Sequence, residues 1–139
     1  PAVAEGAISV GSYGIIDSAM AYFSSRGPTL QTGRIKPDIA APGGGRALSE
    51  TRPKETLFSG VSIGSMLDGF TDKVTDGFAT LAGTSMGCPQ VAAILANWKQ
   101  AKPDLTGDDV KTIFRQSSGR KQNNDYGFGL IDATWILNY

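Results

Sequence analysis

Residues 83–93 read Gly-Thr-Ser-Met-Gly-Cys-Pro-Gln-Val-Ala-Ala, and this stretch carries the strongest structural signal in the chain. The apolar run Phe78–Ala82 before it is typical of a strand, and the glycine that follows is typical of a turn. From Ser85 to about Gln100 the apolar residues recur at helical spacing, which predicts an amphipathic helix. Its predicted buried stripe consists of Met86, Val91, Ile94, Leu95 and Trp98. The pattern therefore places Ser85 at the start of the helix of a strand–turn–helix unit.

A serine in the first turn of a helix is well placed to act as a nucleophile. The free N–H groups of that turn and the helix dipole favour negative charge, so they can stabilise the oxyanion of a tetrahedral intermediate. The N–H of Ser85 itself is one such donor. Gly83 lets a substrate backbone approach closely, and Thr84 is expected to cap the helix. The alternative, which this pentapeptide alone favours, is that Ser85 is only a helix-terminal serine.

The pattern Gly-x-Ser-x-Gly occurs twice, at residues 83–87 and 60–64. It forms the nucleophile elbow of α/β-hydrolases, in which the catalytic histidine follows the serine along the chain. This chain contains no histidine. A self-contained Ser-His-Asp or Cys-His unit is therefore excluded, and a hydrolase hypothesis must take its general base from another segment.

Composition limits the function further. The 139 residues suffice for one domain or part of one, and 13 basic residues balance 13 acidic residues. A neutral chain lacks the basic surface of a nucleic-acid binder, and no apolar run approaches the ~20 residues of a membrane span. The single cysteine, Cys88, excludes an internal disulfide and a multi-cysteine zinc site. We therefore expect neither a nucleic-acid partner nor a membrane partner.

Short apolar runs bounded by glycine and proline predict the remaining elements. A second helix is expected to begin at Thr106, whose hydroxyl can cap it, and Asp132 is expected to cap a last short helix through Leu137. Strands that alternate with helices argue for an α/β fold with some parallel sheet. The other predicted strands are Ala7–Val10, Met20–Phe23, Ile39–Ala41, Leu57-Phe58 and Val61–Ile63.

Four blocks of this sequence occur in an order that is familiar from one family. Residues 83–93 correspond to G-T-S-M-A-x-P-H-V-A-G, and Ile8–Gly11 corresponds to a strand that reads V-I-x-V-G-A. Phe23–Pro28 corresponds to F-S-S-x-G-P, and Ile35–Gly43 to K-P-D-I-x-A-P-G. Together these blocks resemble the subtilisin-like serine proteases, the subtilases of the S8 peptidase family. The resemblance implies that residues 1–139 are the C-terminal portion of a subtilase catalytic domain, a three-layer α/β/α fold with a mostly parallel sheet.

The resemblance also implies an activity, namely a serine endopeptidase in which Ser85 attacks a peptide carbonyl and forms an acyl-enzyme. Ser85, Thr84 and Gly83 would provide the oxyanion hole and the approach for the substrate. In this family the catalytic Asp and His and the oxyanion Asn precede the matched region. The implied partners are thus a protein or peptide substrate and the N-terminal part of the same catalytic domain, without which this chain is expected to be inactive.

The same resemblance implies a secreted or extracytoplasmic protein without a cofactor. Calcium is common in the complete domains of the family, but its usual ligands have no counterparts in this chain. Asp68, Asp72 and Asp76 are spaced by four and could gather around a calcium ion, although a solvated loop is favoured. The region from Gly43 to Gly77 is expected near the substrate groove.

Several single residues carry weaker signals. Cys88 is expected to be a small buried packing residue, and the alternative is a thiol close enough to the site for mercurial sensitivity. Gln90 replaces a histidine that is usual in the family but is not its catalytic base. The remaining expectations are salt links made by Arg26, Lys36 and Asp38, and core packing by Trp98 and Trp135.

Two other functions stay open at this point. One is a non-catalytic subtilase-like scaffold or binding module. The other is a different serine hydrolase, which would need a base that this sequence does not offer.

Overall fold

The computed structural model describes residues 2–45, 56–68, 70 and 76–138. Within these ranges no helix is long and apolar enough to cross a membrane. The strands are β1 (Val10–Tyr13), β2 (Ile39–Pro42), β3 (Leu57–Gly60) and β4 (Phe78–Leu81). The helices are α1 (Thr84–Ala101), α2 (Gly107–Ser117) and a 3₁₀ helix (Ala133–Asn138).

β2 lies at the centre of the parallel part of the structure. It pairs in parallel with β1, with Val10 opposite Ile39. On its other side, Ala40 bridges to Leu130, again in parallel. The side chains of Ile39–Ala41 are fully buried. Burial on both faces explains why β2 is a continuous apolar run, as the sequence predicted.

β3 and β4 form a separate antiparallel ribbon, in which Leu57 pairs with Leu81 and Gly60 with Phe78. The predicted strand at Leu57-Phe58 is therefore confirmed, and so is the strand before Gly83. The prediction of a further strand at Val61–Ile63 is wrong. The Val61 N–H still donates to Gly77 O, at 2.7 Å, but the backbone then enters a turn.

Two predicted strands near the amino-terminal end differ from the structure. β1 begins at Val10, the last residue of the run predicted as a strand, because the Ser9 backbone N–H donates to the Asp38 carboxylate and not to a neighbouring strand. The prediction for Met20–Phe23 is also wrong. Only Met20 forms a bridge, to Tyr13, and a turn from Ala21 to Ser24 follows at once.

The core lies between the parallel strands and the two helices. α1 packs on β1 and β2, and its Val91 and Trp98 meet Ile113 and Phe114 of α2 in one buried cluster. The Trp98 indole N–H donates to the Ala133 carbonyl oxygen at 2.9 Å. Phe114 contacts the rings of Trp98 and Trp135 edge-on, each at 6.2 Å between centroids. The packing predicted for both tryptophans is confirmed.

The predicted cap of α2 by Thr106 is confirmed, and it is part of a capping box. The Thr106 hydroxyl accepts the Asp109 N–H, and the Asp109 carboxylate accepts the Thr106 N–H. At the start of the 3₁₀ helix the Asp132 carboxylate accepts the Thr134 N–H at 2.8 Å. That hydrogen bond favours the charged carboxylate, so the pKa of Asp132 is lowered. The predicted last helix is therefore present, with 3₁₀ geometry.

A buried ion pair fixes the entry to β2. Lys36 Nζ lies 2.6 Å from Asp38 Oδ2, and the two side chains are 11% and 7% exposed. The same carboxylate oxygen accepts the backbone N–H and the hydroxyl of Ser9. Arg26 instead pairs with Asp125 at the surface, where the side chains are 47% and 56% exposed. The salt links predicted for Arg26, Lys36 and Asp38 are confirmed, in two pairs.

We predict that Asp38→Asn lowers the free energy of unfolding by about 3–5 kcal/mol, because the Lys36 ammonium would keep its buried position without a counter-charge. The matched control is Asp125→Asn, which removes the exposed pair with Arg26 and should cost about 1 kcal/mol or less. Urea unfolding of the purified protein measures both values. Equal losses in the two variants would contradict the assignment of the buried pair.

Candidate active site

Ser85 is the second residue of α1 and is exposed to solvent. The Gly83 carbonyl oxygen accepts the N–H groups of Met86 and Gly87, at 2.9 and 3.4 Å. Within the described residues no side chain caps this helix, so the N–H groups of Thr84 and Ser85 have no capping acceptor. With the helix dipole they make this turn favourable for negative charge.

The prediction that Thr84 caps α1 is wrong. The residue before the helix is Gly83, with φ 163° and ψ 161°, and Thr84 is already the first helical residue. A capping side chain must come from the non-helical residue that precedes the helix, because only that residue can reach the N–H groups of the next turn. Gly83 has no side chain. The donors of the first turn are consequently left for another acceptor.

Direct backbone contact holds the start of α1 against the end of β2. The Gly83 N–H donates to the Gly43 carbonyl oxygen at 2.7 Å. A Cβ at position 43 would collide with Ser12 Oγ and would lie 2.5 Å from the Gly83 carbonyl oxygen, so only glycine fits there. Gly87 permits a similar approach, since a Cβ there would lie 3.3 Å from the Ala41 carbonyl oxygen.

The sequence placed Gly43 at the end of a family block and at the start of the region expected near the substrate groove. It did not predict that Gly43 positions α1. Ser12 was not predicted to contribute either. Its side chain is fully buried, and its hydroxyl donates to the Gly44 carbonyl oxygen at 3.1 Å. Both residues act on the position of α1 and do not contact Ser85.

A hollow of about 630 Å³ opens on one side of Ser85. Ala7, Ile8 and Val10 line it opposite the first turns of α1, together with Thr84, Cys88 and Pro89. The prediction that Cys88 is buried is wrong within this chain, because Cys88 is exposed at the edge of this hollow. The helical spacing from Ser85 places its thiol one turn along the same side of α1.

A second hollow of about 430 Å³ opens on the other side of Ser85. Strand β3 lines it with Leu57–Gly60, and α1 lines it with Met86, Pro89, Gln90 and Ala93 as well as Ser85. The part of the Gly43–Gly77 region that forms β3 therefore lies beside the candidate nucleophile. Residues 46–55, 69 and 71–75 of that region lie outside the described residues.

Two of the three carboxylates considered for calcium, Asp68 and Asp76, lie within the described residues and accept backbone N–H groups. Asp68 is buried and accepts the N–H groups of Gly64 and Gly77, at 2.7 and 3.0 Å, so it closes the loop between β3 and β4. Asp76 accepts the Phe78 N–H, and Asp72 lies outside the described residues. The described residues contain no group of three or more His, Cys, Asp or Glu that fits a metal ion. Asp68 is thus not the solvated residue that was predicted.

Comparison with known proteins identifies the family. Residues 1–129 match the model of the Subtilase family. Serine protease AprX of Bacillus subtilis is 35% identical over 144 residues, which cover 96% of this chain and 30% of AprX. The minor extracellular protease Vpr of the same organism is 32% identical over 106 residues, covering 76% of this chain and 11% of Vpr. The structure of the CspB protease of Clostridium perfringens matches with a TM-score of 0.69 and 30% identity, over 99% of this chain and 27% of CspB.

The chain belongs to the subtilase family of subtilisin-like serine proteases. Its predicted subtilisin-like α/β fold is confirmed by the match to the CspB structure. The chain spans less than a third of the length of these relatives.

We predict that Gly43→Ala destabilises the fold by about 1–3 kcal/mol or more, because the new methyl group would push α1 away from β2. Gly6→Ala is the control, since a Cβ at that position has nothing within 4 Å. It should change the free energy of unfolding by less than about 0.5 kcal/mol. Denaturant unfolding measures both, and a neutral Gly43→Ala would show that the contact with Gly83 is not constraining.

Proposed function

We propose that this chain forms part of a serine endopeptidase in which Ser85 is the nucleophile. One observation carries the proposal: Ser85 is exposed in the uncapped first turn of α1, between two hollows. The Ser85 hydroxyl oxygen attacks the carbonyl carbon of the scissile peptide bond. The tetrahedral oxyanion then accepts the Ser85 N–H, which needs no rearrangement because no side chain of the described residues caps it.

The general base comes from a segment outside these 139 residues, since the chain has no histidine. We place the catalytic Asp and His, and an oxyanion Asn, in the preceding part of the same catalytic domain. The hollow lined by Ala7, Ile8 and Cys88 supports this placement, because it gives such a segment room next to Ser85. The histidine takes the Ser85 proton, returns it to the leaving amine, and then activates the water that hydrolyses the acyl-enzyme.

The substrate is an extended protein or peptide segment that runs past the β3 side of Ser85. The hollow between β3 and α1 supports this direction, since Leu57–Gly60 line it and the exposed ring of Phe58 offers an apolar surface. No metal or cofactor enters the mechanism. We propose that the protein acts outside the cytoplasm, which the match to an extracellular protease, Vpr, supports.

A fluorophosphonate probe tests Ser85 in the longest open reading frame that contains this chain. The Ser85 oxygen forms a bond to phosphorus, fluoride leaves, and the serine proton goes to the base. We expect Ser85→Ala to abolish this adduct and to lower peptidase activity by roughly 10⁴-fold or more. Intact mass spectrometry and a peptide-cleavage assay measure the two effects.

Ser62→Ala is the matched control, because Ser62 lies in the second Gly-x-Ser-x-Gly segment but in an exposed turn and not on a helix. This variant should react like the unchanged protein. A protein that has the upstream histidine but forms no adduct at Ser85 would overturn the proposal and favour a non-catalytic scaffold. The chain expressed alone should form no adduct.

A further inference from the structure

The side chain of Gln90 joins the end of β2 to the first turns of α1. Its Nε2 donates to the Pro42 carbonyl oxygen at 2.5 Å and to the Met86 carbonyl oxygen at 2.9 Å. Both of these carbonyl oxygens can only accept hydrogen bonds, so the amide nitrogen of Gln90, and not its amide oxygen, must face them. Gln90 thus uses both hydrogens of its amide on two backbone segments.

These two segments are the ones that position Ser85. Pro42 directly precedes Gly43, whose carbonyl oxygen holds the Gly83 N–H at the start of α1. Met86 directly follows Ser85. The Gln90 amide therefore closes a second connection between strand end and helix start, in addition to the backbone hydrogen bond.

Pro89 removes a helical hydrogen bond next to this connection. It lies inside α1 and has no N–H, so it cannot donate to the carbonyl oxygen of Ser85, four residues earlier. The helix consequently lacks one of its own hydrogen bonds at the nucleophile. The Gln90 side chain adds a donor at Met86, the next carbonyl along, and anchors that turn to β2.

We propose that Gln90 is a positioning residue for Ser85: its amide holds the first turn of α1 against the end of β2, so that the Ser85 hydroxyl and N–H keep the geometry that acylation requires. This inference rests on the proposed function of Ser85. Gln90 borders the hollow proposed for the substrate, but both hydrogens of its amide are directed at Pro42 and Met86, and it acts on Ser85 through these two residues.

Gln90→Glu tests the proposal, because it keeps the shape but places acceptor oxygens against two carbonyl oxygens. We expect the rate constant of Ser85 acylation, counted per titrated active site, to fall about 10- to 100-fold. KM for a peptide substrate should change much less than this rate constant, since the Gln90 amide donates to Pro42 and Met86 and has no hydrogen left for the substrate. Gln90→His, which keeps an N–H donor, should recover part of the rate.

Gln100→Glu is the matched control, as it makes the same change at an exposed position near the end of α1. It should leave the acylation rate unchanged.

If Gln90→Glu does not fold, Gln90→Met serves instead, because it removes both donors without adding charge. Counting per titrated site distinguishes a positioning role from a purely structural role. A purely structural role would lower the number of active sites but not the rate at each site.

Hydrogen exchange in the same variants gives a readout that does not depend on activity. We expect faster amide exchange in residues 42–45 and 83–87 of Gln90→Glu and not of Gln100→Glu. An unchanged rate per site, or unchanged exchange at these residues, would overturn the positioning role. If the protein without substitutions does not acylate at all, the proposed function fails. The exchange measurement still tests Gln90 in that case, because equal exchange in Gln90→Glu and the unsubstituted protein would show that its amide does not hold the two segments together.

Discussion

The hydrogen bond from the Gly83 N–H to the Gly43 carbonyl oxygen sets the position of α1 relative to the parallel strands. It is 2.7 Å long and depends on glycine at position 43, where a Cβ would lie 2.5 Å from the Gly83 carbonyl oxygen. Gly87 extends the same close approach by one turn, over Ala41. The core around Val91 and Trp98 is built on the helix direction that these contacts impose.

The two α-helices satisfy their first turns in opposite ways. α2 pairs its early N–H groups with Thr106 and Asp109 in a reciprocal capping box. α1 has glycine at the equivalent position and no capping side chain among the described residues. Glycine in place of a capping side chain lowers helix stability by only about a few tenths of a kcal/mol. The contacts of Gly43 and Gln90 offset that cost while leaving the donors beside Ser85 unused.

Much of this arrangement could be predicted from the sequence, because helical periodicity and capping residues are local signals. These signals correctly predicted both α-helices, strand β2 and the position of Ser85 at the start of α1. The errors concern contacts between distant residues: β1 starts late because Ser9 bonds to Asp38, and Asp68 is buried because it closes a loop onto Gly64 and Gly77. Cys88 is exposed although its residue type is usually buried, since burial depends on what packs against α1 and not on helical spacing.

Ser85 lies between two hollows, and under the proposed function this position would let one residue meet both a base and a substrate. On one side, Ala7 and Ile8 face the start of α1 across the hollow that includes Cys88. On the other side, β3 faces it across the hollow that includes Gln90. Pro89 borders both. In the proposed mechanism a base that enters from the first side would leave the second side free for the peptide, so that proton transfer and substrate binding would not compete for the same space. The first turn of α1 must then hold still under contacts from both sides, which is the role that its attachment to β2 performs.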